Sequence, residues 1–481
     1  MNKQPTDIHC LSATELVSLF RRRELSPVEA TRAVLERIEA FQQTINAFIL
    51  VDAEPALAAA TASEKRWAKD APASSIDGVP TTVKDLLLAK GWPTRRGSKA
   101  VDPAGPWTED APAVARLRES GAVFLGKTTT PEFGWKGITD SPLSGITCNP
   151  WDTSRTPGGS SGGAAAAAAL GMGTLHVGTD GGGSVRIPAG FTGVFGFKPS
   201  FGRVPTWPLS MVGTLSHVGP ITRTVEDAAM MMSIISRPDA RDWGSLPYDE
   251  RDYCNGLRDG IEGLRVAFSP TLGYVDIVDP EVTTRVAAAA KAFEMLGATV
   301  EEADPGFDSP NEVFLTHWCV GAAKLLANYS SEQQEVMDDG LRKLASLGAE
   351  TSLFDYLDAV GARSQLGQTM REFHEDYDLL LTPTLPIPAF EAGLDTPGSG
   401  NLKWWADWTP FSYPFNLTQQ PAASVPCGFT SEGLPVGLQI VGPMHGDALV
   451  LRAANAYEQA YPFQMPATPK DDAGEDCDPA Q

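Results

Sequence analysis

Two serines and one lysine stand where hydrolytic chemistry could be built. Ser160 lies in Gly158-Gly159-Ser160-Ser161-Gly162, and Ser184 ends the run Thr179-Asp180-Gly181-Gly182-Gly183-Ser184. Successive glycines, free of Cβ atoms, can take positive φ and turn neighbouring N–H groups toward one point, as an oxyanion hole requires. A tight turn is the other use of such a run, and the glycines alone do not separate the two. Lys84 lies upstream in an apolar stretch, flanked by Val79, Val83, Leu86, Leu87 and Leu88. Burial there disfavours the ammonium form, making a neutral amine available as base for a serine hydroxyl. On a strand Asp85 would face away from Lys84 and would not hold the amine charged.

Two other motifs compete for the same residues. Gly121 to Thr128 matches the phosphate-loop pattern GxxxxGK[ST], but its four middle residues are apolar and strand-like. A phosphate loop needs a flexible turn there, with its N–H groups facing the anion, so a nucleotide site is not expected. Gly158-Gly159-Ser160-Ser161-Gly162 also matches the GxSxG nucleophile elbow. That turn requires a preceding strand and later acid and histidine partners. Residues 149–157 hold two prolines and several turn formers, and none of His176, His217, His317, His374 and His445 sits in a catalytic context.

Ser12 precedes an amphipathic helix over 13–20, and Ser26-Pro27-Val28-Glu29 makes a capping box that opens a second helix running to about 41. From Asp77 on, short β-branched runs (79–83, 122–125) alternate with helical stretches (111–119, 225–235, 280–296). Alternation of this kind predicts an α/β fold around a largely buried sheet. An Ala-rich helix over 164–170 links the two serine loops; 264–268, 287–292 and 299–300 form a further βαβ unit, and 379–381 and 436–441 supply late strands. A Gly/Pro loop over 395–400 precedes an aromatic cluster. With no repeat and no clear linker, the chain reads as one large domain: an N-terminal helical segment (1–75), a catalytic core (76–463) and an acidic, disordered tail (464–481).

Composition bounds the function classes. The chain has 481 residues, and 38 basic against 60 acidic residues give a net charge of −22, which repels phosphate backbones and argues against direct nucleic-acid binding. Arg21-Arg22-Arg23 reads as a solvated helix face. The six cysteines stand apart with no CxxC, which argues against a disulfide framework or zinc site and fits a reducing, cytoplasmic setting. Met1 to Cys10 lacks the apolar core of a signal peptide, and no stretch of about 18 apolar residues suggests a membrane span.

Taken together, the two loops resemble the signature of the amidase signature family almost residue for residue from Gly158 to Ala189, with the two serines 24 positions apart. Gly78-Val79-Pro80-Thr81-Thr82-Val83-Lys84-Asp85 is similar to the family's lysine-bearing strand. The segments 219–227 and 433–439 are similar to further family segments, so the likeness spans about 11–463. The resemblance implies a mixed central β-sheet covered by helices on both faces, and no metal or cofactor. It implies Lys84 as base, Ser160 as bridging serine, Ser184 as nucleophile, and the N–H groups of Gly181, Gly182, Gly183 and Ser184 as oxyanion hole. Gly181 departs from many members, which carry a branched apolar residue there; the N–H survives the change. Asp180 and Arg186 read as structural pins of the loop.

The implied activity is a serine amidohydrolase acting on a small-molecule amide, with aryl amides and carbamates (urethanes) as the working substrates. Specificity is expected from 311–330 and 404–415, with Trp318, Cys319, Trp404, Trp408 and Phe411 as pocket candidates. Core or lid packing is the competing use of these aromatics, and Cys319 reads as a small buried residue rather than a second nucleophile. The alternative is the glutaminase subunit of a tRNA-dependent amidotransferase, against which stand the acidic surface and the absence over 351–377 of the Tyr/Gly-rich stretch expected there. A homodimer is left open.

Overall fold

In the computed structural model, which describes residues 5–398 and 402–469, Ser12 and Ser26 open the helices Ala13–Arg22 and Pro27–Ile45. Each serine caps the backbone of a glutamate three residues on, and that glutamate returns the bond. Asn46, in the left-handed region at φ 54°, ends the second helix. The chain then enters β1 (Phe48–Val51), a strand that falls inside the segment expected to be helical. Four apolar residues are too few for periodicity to separate strand from helix.

The remaining strands are β2 (Pro80–Lys84), β3 (Val123–Thr128), the small hairpin β4 (Asp140–Ser141) and β5 (Gly145–Ile146), β6 (Leu175–Asp180), β7 (Phe195–Lys198), β8 (His217–Thr222), β9 (Arg265–Phe268), β10 (Thr299–Glu302), β11 (Leu379–Pro383), β12 (Ala422–Phe429) and β13 (Pro435–Val441). Eleven of the thirteen strands form one mixed sheet in the order β1-β3-β2-β6-β8-β7-β12-β13-β11-β9-β10. β2 runs parallel to β3 and β6, and the centre of the sheet, from β6 to β13, pairs antiparallel.

Alternation along β2 divides its side chains between the two faces. Val83, with Val177, Phe197, Leu438 and Ile440, joins a large apolar core built with the helices Val225–Ile235, Pro280–Met295 and Asp447–Ala460. The opposite face is covered by two short buried helices, Gly162–Ala169 and Arg186–Thr192, each of which directly follows one of the serine loops. The result is a single domain with helices on both faces of the sheet. A second apolar cluster lies over the loops, built from the helices Asn311–Leu326 and Asp339–Glu350 and from the aromatic segment around Trp405–Trp408. Among the described residues no helix is long and apolar enough to cross a membrane. The expectations for the acidic tail from residue 470 onward, and for the end of the 395–400 loop, fall outside the described residues.

The phosphate-loop match resolves into β3, whose six residues are all buried. Its lysine, Lys127, is an internal cation 2.9 Å from Asp85, with both side chains out of solvent. Asp85 is thereby engaged away from Lys84, and its other oxygen accepts the Gly97 N–H at 3.1 Å. Removing one member of such a pair strands a buried charge. We therefore expect Asp85→Asn to destabilise the fold by about 3–5 kcal/mol. The double variant Asp85→Asn/Lys127→Met should recover most of that loss, as read from urea-denaturation midpoints.

Candidate active site

Lys84 ends β2 and is fully buried. Its Nζ donates to Ser160 Oγ at 2.8 Å, to Ser161 Oγ at 2.8 Å and to Thr179 Oγ1 at 2.9 Å. Burial pushes the amine pKa well down, and the charge of Asp180, which opposes the shift, does not cancel it. Three hydroxyls suit a neutral amine, since each can either accept an N–H or donate to the nitrogen lone pair. Sequence alone singles out Ser160 but neither Ser161 nor Thr179. Their signal is adjacency: Ser161 shares the Gly-Ser-Ser-Gly run, and Thr179 directly precedes Asp180 and the glycines.

Ser160 follows a cis peptide bond from Gly159. Ser161 joins the two loops: its N–H donates to the Ser184 carbonyl at 3.1 Å, and its Oγ donates to the Thr179 carbonyl at 3.1 Å. Ser160 and Ser184 are both buried, 2% and 3% exposed. The ring hydrogen bonds of His176, His217 and His374 reach neither serine. His176 pairs with Thr82 Oγ1 at 2.8 Å and His217 with the Leu215 carbonyl at 2.9 Å. The elbow pattern is therefore not accompanied by any of these three as a partner.

The glycine loop hangs on one internal ion pair. Asp180 and Arg186 are both completely buried, with Arg186 Nη2 2.9 Å from Asp180 Oδ1 and Nε 3.0 Å from Oδ2. Arg186 also donates to the Ser412 carbonyl (2.8 Å), Gln439 Oε1 (2.7 Å) and Asn416 Oδ1 (2.7 Å). Burial alone would raise the Asp180 pKa, but Arg186 overcomes it and holds the carboxyl well below the usual range. The carboxylate in turn accepts the N–H groups of Gly183 at 2.8 Å and Val185 at 3.2 Å.

That first bond changes the expected donor set. Gly183 N–H points at Asp180 rather than into the loop concavity, whereas no intramolecular acceptor meets the N–H of Gly181, Gly182 or Ser184 among the described residues. Gly183 sits at φ 127°, and a Cβ there would come within 2.4 Å of Ser412 Oγ, which donates to the Gly182 carbonyl at 2.6 Å. An L side chain would thus meet both backbone strain and a collision at this position.

The five expected pocket residues do not gather at one place. Trp318 lies against the loop: a Cβ on Gly181 would be 3.1 Å from its indole ring. The bare glycine leaves that space to the indole, which explains physically why a branched residue is absent here. Phe314 and Trp405, which lie in the two expected specificity segments but are not among the five candidates, sit 2.7 Å from the corresponding point on Gly182. Trp318 and Trp405 pack edge to face at 5.2 Å, with Phe314 5.1 Å from Trp318. Trp408 is one layer back, stacked on Phe191, and Cys319 is buried on the same helix as Trp318, its thiol pKa pushed up to about 11 by burial. Trp404 is half-buried at the cluster's edge. Phe411 lies in a different cluster, with Leu380 and Met370. Sequence proximity within 404–415 does not translate into a common wall, because a 3-10 turn and a short helix send these side chains in different directions. Among the described residues no group of three or more His, Cys, Asp or Glu is arranged to hold a metal ion.

A buried lysine–serine cluster beside a glycine loop with free N–H groups, on a mixed sheet of this order, is the framework of an amidohydrolase. The chain belongs to the amidase signature family, whose model, described as Amidase, matches residues 29–451. It is accordingly a hydrolase of amide C–N bonds other than peptide bonds. It is 39% identical over 465 residues to an acylamidase of Rhodococcus erythropolis, covering 95% of this chain and 97% of that protein. It is 36% identical to a glutamyl-tRNA(Gln) amidotransferase subunit of Myxococcus xanthus (strain DK1622), over 95% of this chain and 99% of that one. Among solved structures it is similar to a bacterial aryl acylamidase of the same family, with a TM-score of 0.88, 31% identity and coverage of 95% and 97% of the two chains.

If the Asp180–Arg186 pair holds the glycine loop, Asp180→Asn should leave Arg186 as a buried unpaired cation. The expected cost is about 3–5 kcal/mol of stability. Labelling of the protein by a fluorophosphonate should slow in parallel, whereas a wild-type labelling rate would show that the loop does not depend on the pair.

Proposed function

We propose that this protein is an acyl- or aryl-amide hydrolase in which Ser184 is the nucleophile, Ser160 the proton relay and Lys84 the base. The observation that carries this reading is a fully buried lysine amine, depressed in pKa, at 2.8 Å from the Ser160 hydroxyl. Ser184 attacks the substrate carbonyl as its proton passes through Ser160 to the neutral Lys84 amine. The oxyanion is held by the N–H groups of Gly181, Gly182 and Ser184, those with no intramolecular acceptor. Collapse expels the amine, which takes back the proton along the same path, and water hydrolyses the acyl-enzyme by the reverse relay. A carbamate would pass through a carbamoyl-enzyme instead. Trp318, Phe314 and Trp405 supply an aromatic wall beside the loop, which favours an aryl or apolar acyl group. We also place the protein in a reducing, cytoplasmic setting, in keeping with five described cysteines that are all free.

The second reading, the glutaminase component of a tRNA-dependent amidotransferase, rests on the 36% identity to the Myxococcus xanthus protein. Kinetics on p-nitroacetanilide, an aryl carbamate and glutamine separate the two: the first reading predicts turnover of the aryl compounds, and release of ammonia from glutamine alone would overturn it. Ser184→Ala should lower kcat by at least about 10³-fold and abolish the fluorophosphonate adduct. The pH dependence has a definite sign. Only the uncharged amine can accept the proton, so kcat/KM should fall about tenfold per pH unit below the Lys84 pKa and level off above it. Because burial lowers that pKa, the plateau should extend far below the pH at which a solvent-exposed lysine loses its proton.

A further inference from the structure

Two adjoining cavities lead away from the lysine–serine cluster, and their walls carry positive charge only. The inner one, about 110 Å³, is bordered by Leu86 and by Thr179, the residue whose hydroxyl accepts from Lys84. Leu86 reaches the cluster from the other side, since Leu86 Cδ1 and Ser160 Oγ both border the position of a Cβ on Gly134. The outer cavity, about 540 Å³, shares Arg96 and Met211 with the inner one and extends to exposed Lys324. Arg96, Lys324 and Arg363 line this path, and no aspartate or glutamate lines either cavity. In a chain with 60 acidic and 38 basic residues, an acid-free wall with three cations is a local reversal of charge.

Arg96 is the cation common to both cavities. Its backbone is fixed: the carbonyl accepts the Phe133 N–H at 2.7 Å, and the next N–H, of Gly97, is held by Asp85. Its guanidinium has no ion pair and no side-chain hydrogen bond among the described residues. Arg363 differs, being tied to the Leu417 carbonyl and to Thr214. His317, also on the outer wall, is lowered to about 4 by burial and by Arg363 and adds no charge at neutral pH. A half-buried, uncommitted guanidinium presents a planar fork of donors matched to a carboxylate, and low-dielectric walls of one sign concentrate an anion at it.

We propose that Arg96 is a specificity-determining residue that receives a carboxylate carried by the substrate away from the scissile bond. The preferred substrates are therefore amides bearing a carboxylate, drawn in along the cationic wall toward Lys84. This deepens the amidohydrolase reading above and rests on it.

The test uses two matched substrate pairs. Hexanoyl p-nitroanilide and the mono-p-nitroanilide of adipic acid place the charge on the acyl side; 4-acetamidotoluene and 4-acetamidobenzoate place it on the amine side. The wild type should prefer the anionic member of one pair, which identifies the side that faces Arg96. Arg96→Gln should lower kcat/KM for that anionic substrate by about 10–100-fold, through KM, the range expected for hydrogen bonds to a charged group. The neutral partner should change by less than about twofold, Arg96→Lys should restore part of the loss, and 0.5 M NaCl should weaken only the anionic substrate. No preference in either pair, or an equal loss on neutral and anionic substrates, would overturn the proposal. Failure of the underlying catalytic reading is distinguishable, because it would show as turnover persisting in Ser184→Ala whatever residue occupies position 96.

Discussion

An ammonium group cannot be left in an apolar sheet without either a carboxylate or the loss of its proton, and the arrangement around Lys84 follows from the second outcome. Two carboxylates that could hold it charged are committed elsewhere: Asp85 to Lys127, and Asp180 to Arg186. What remains around the amine is three hydroxyls. A hydroxyl shell satisfies the nitrogen's hydrogen-bonding capacity without fixing its charge. The site is thus built by directing the negative charges of neighbouring residues toward other cations, so that burial is free to lower the lysine pKa.

The same logic places the glycine loop. Its backbone would be free to move were it held only by turn hydrogen bonds, because glycines lose the most conformational freedom on ordering. The Asp180–Arg186 pair, with Ser412, Asn416 and Gln439 around it, fastens both ends of the loop to a strand from each half of the sheet. Arg186 reaches Gln439 on β13, at the far side of the antiparallel centre, which ties the loop to a segment more than 250 residues downstream. Ser161 performs the matching connection between the loop and the lysine cluster. The aromatic cluster of Phe314, Trp318 and Trp405 then closes over Gly181 and Gly182, where the absence of side chains permits its approach.

Much of this is legible without coordinates. The helix start at Ser12, the capping box at Ser26, the helix Val225–Ile235 and the strands around Lys84 and Val436 carry local signals of composition and spacing, and each appears within a few residues of its expected bounds. The family likeness extends that to the sheet and its flanking helices. What sequence does not reveal is what depends on direction rather than identity. Ser161 and Thr179 differ from many other hydroxyls only in where the chain turns them. Gly183 N–H is engaged by a carboxylate three residues back, a choice made by the turn and not by the glycine. Phe411 and Trp408 are three residues apart yet belong to separate clusters, and within the expected 311–330 segment nothing in the sequence sets Phe314 apart as the side chain that packs against Gly182. Arg96 likewise reads as an ordinary loop cation until two cavities are seen to share it.

Catalysis turns on the protonation state of one amine, and nitrogen NMR can observe it. In protein labelled with ¹⁵N at lysine side chains, the Lys84 resonance is assigned by its loss in Lys84→Arg. The chemical shift and proton count of a neutral amine are expected well below the pH at which a solvent-exposed lysine loses its proton, with the transition to ammonium only at lower pH. An ammonium signal for Lys84 that persists to pH 10 would contradict it.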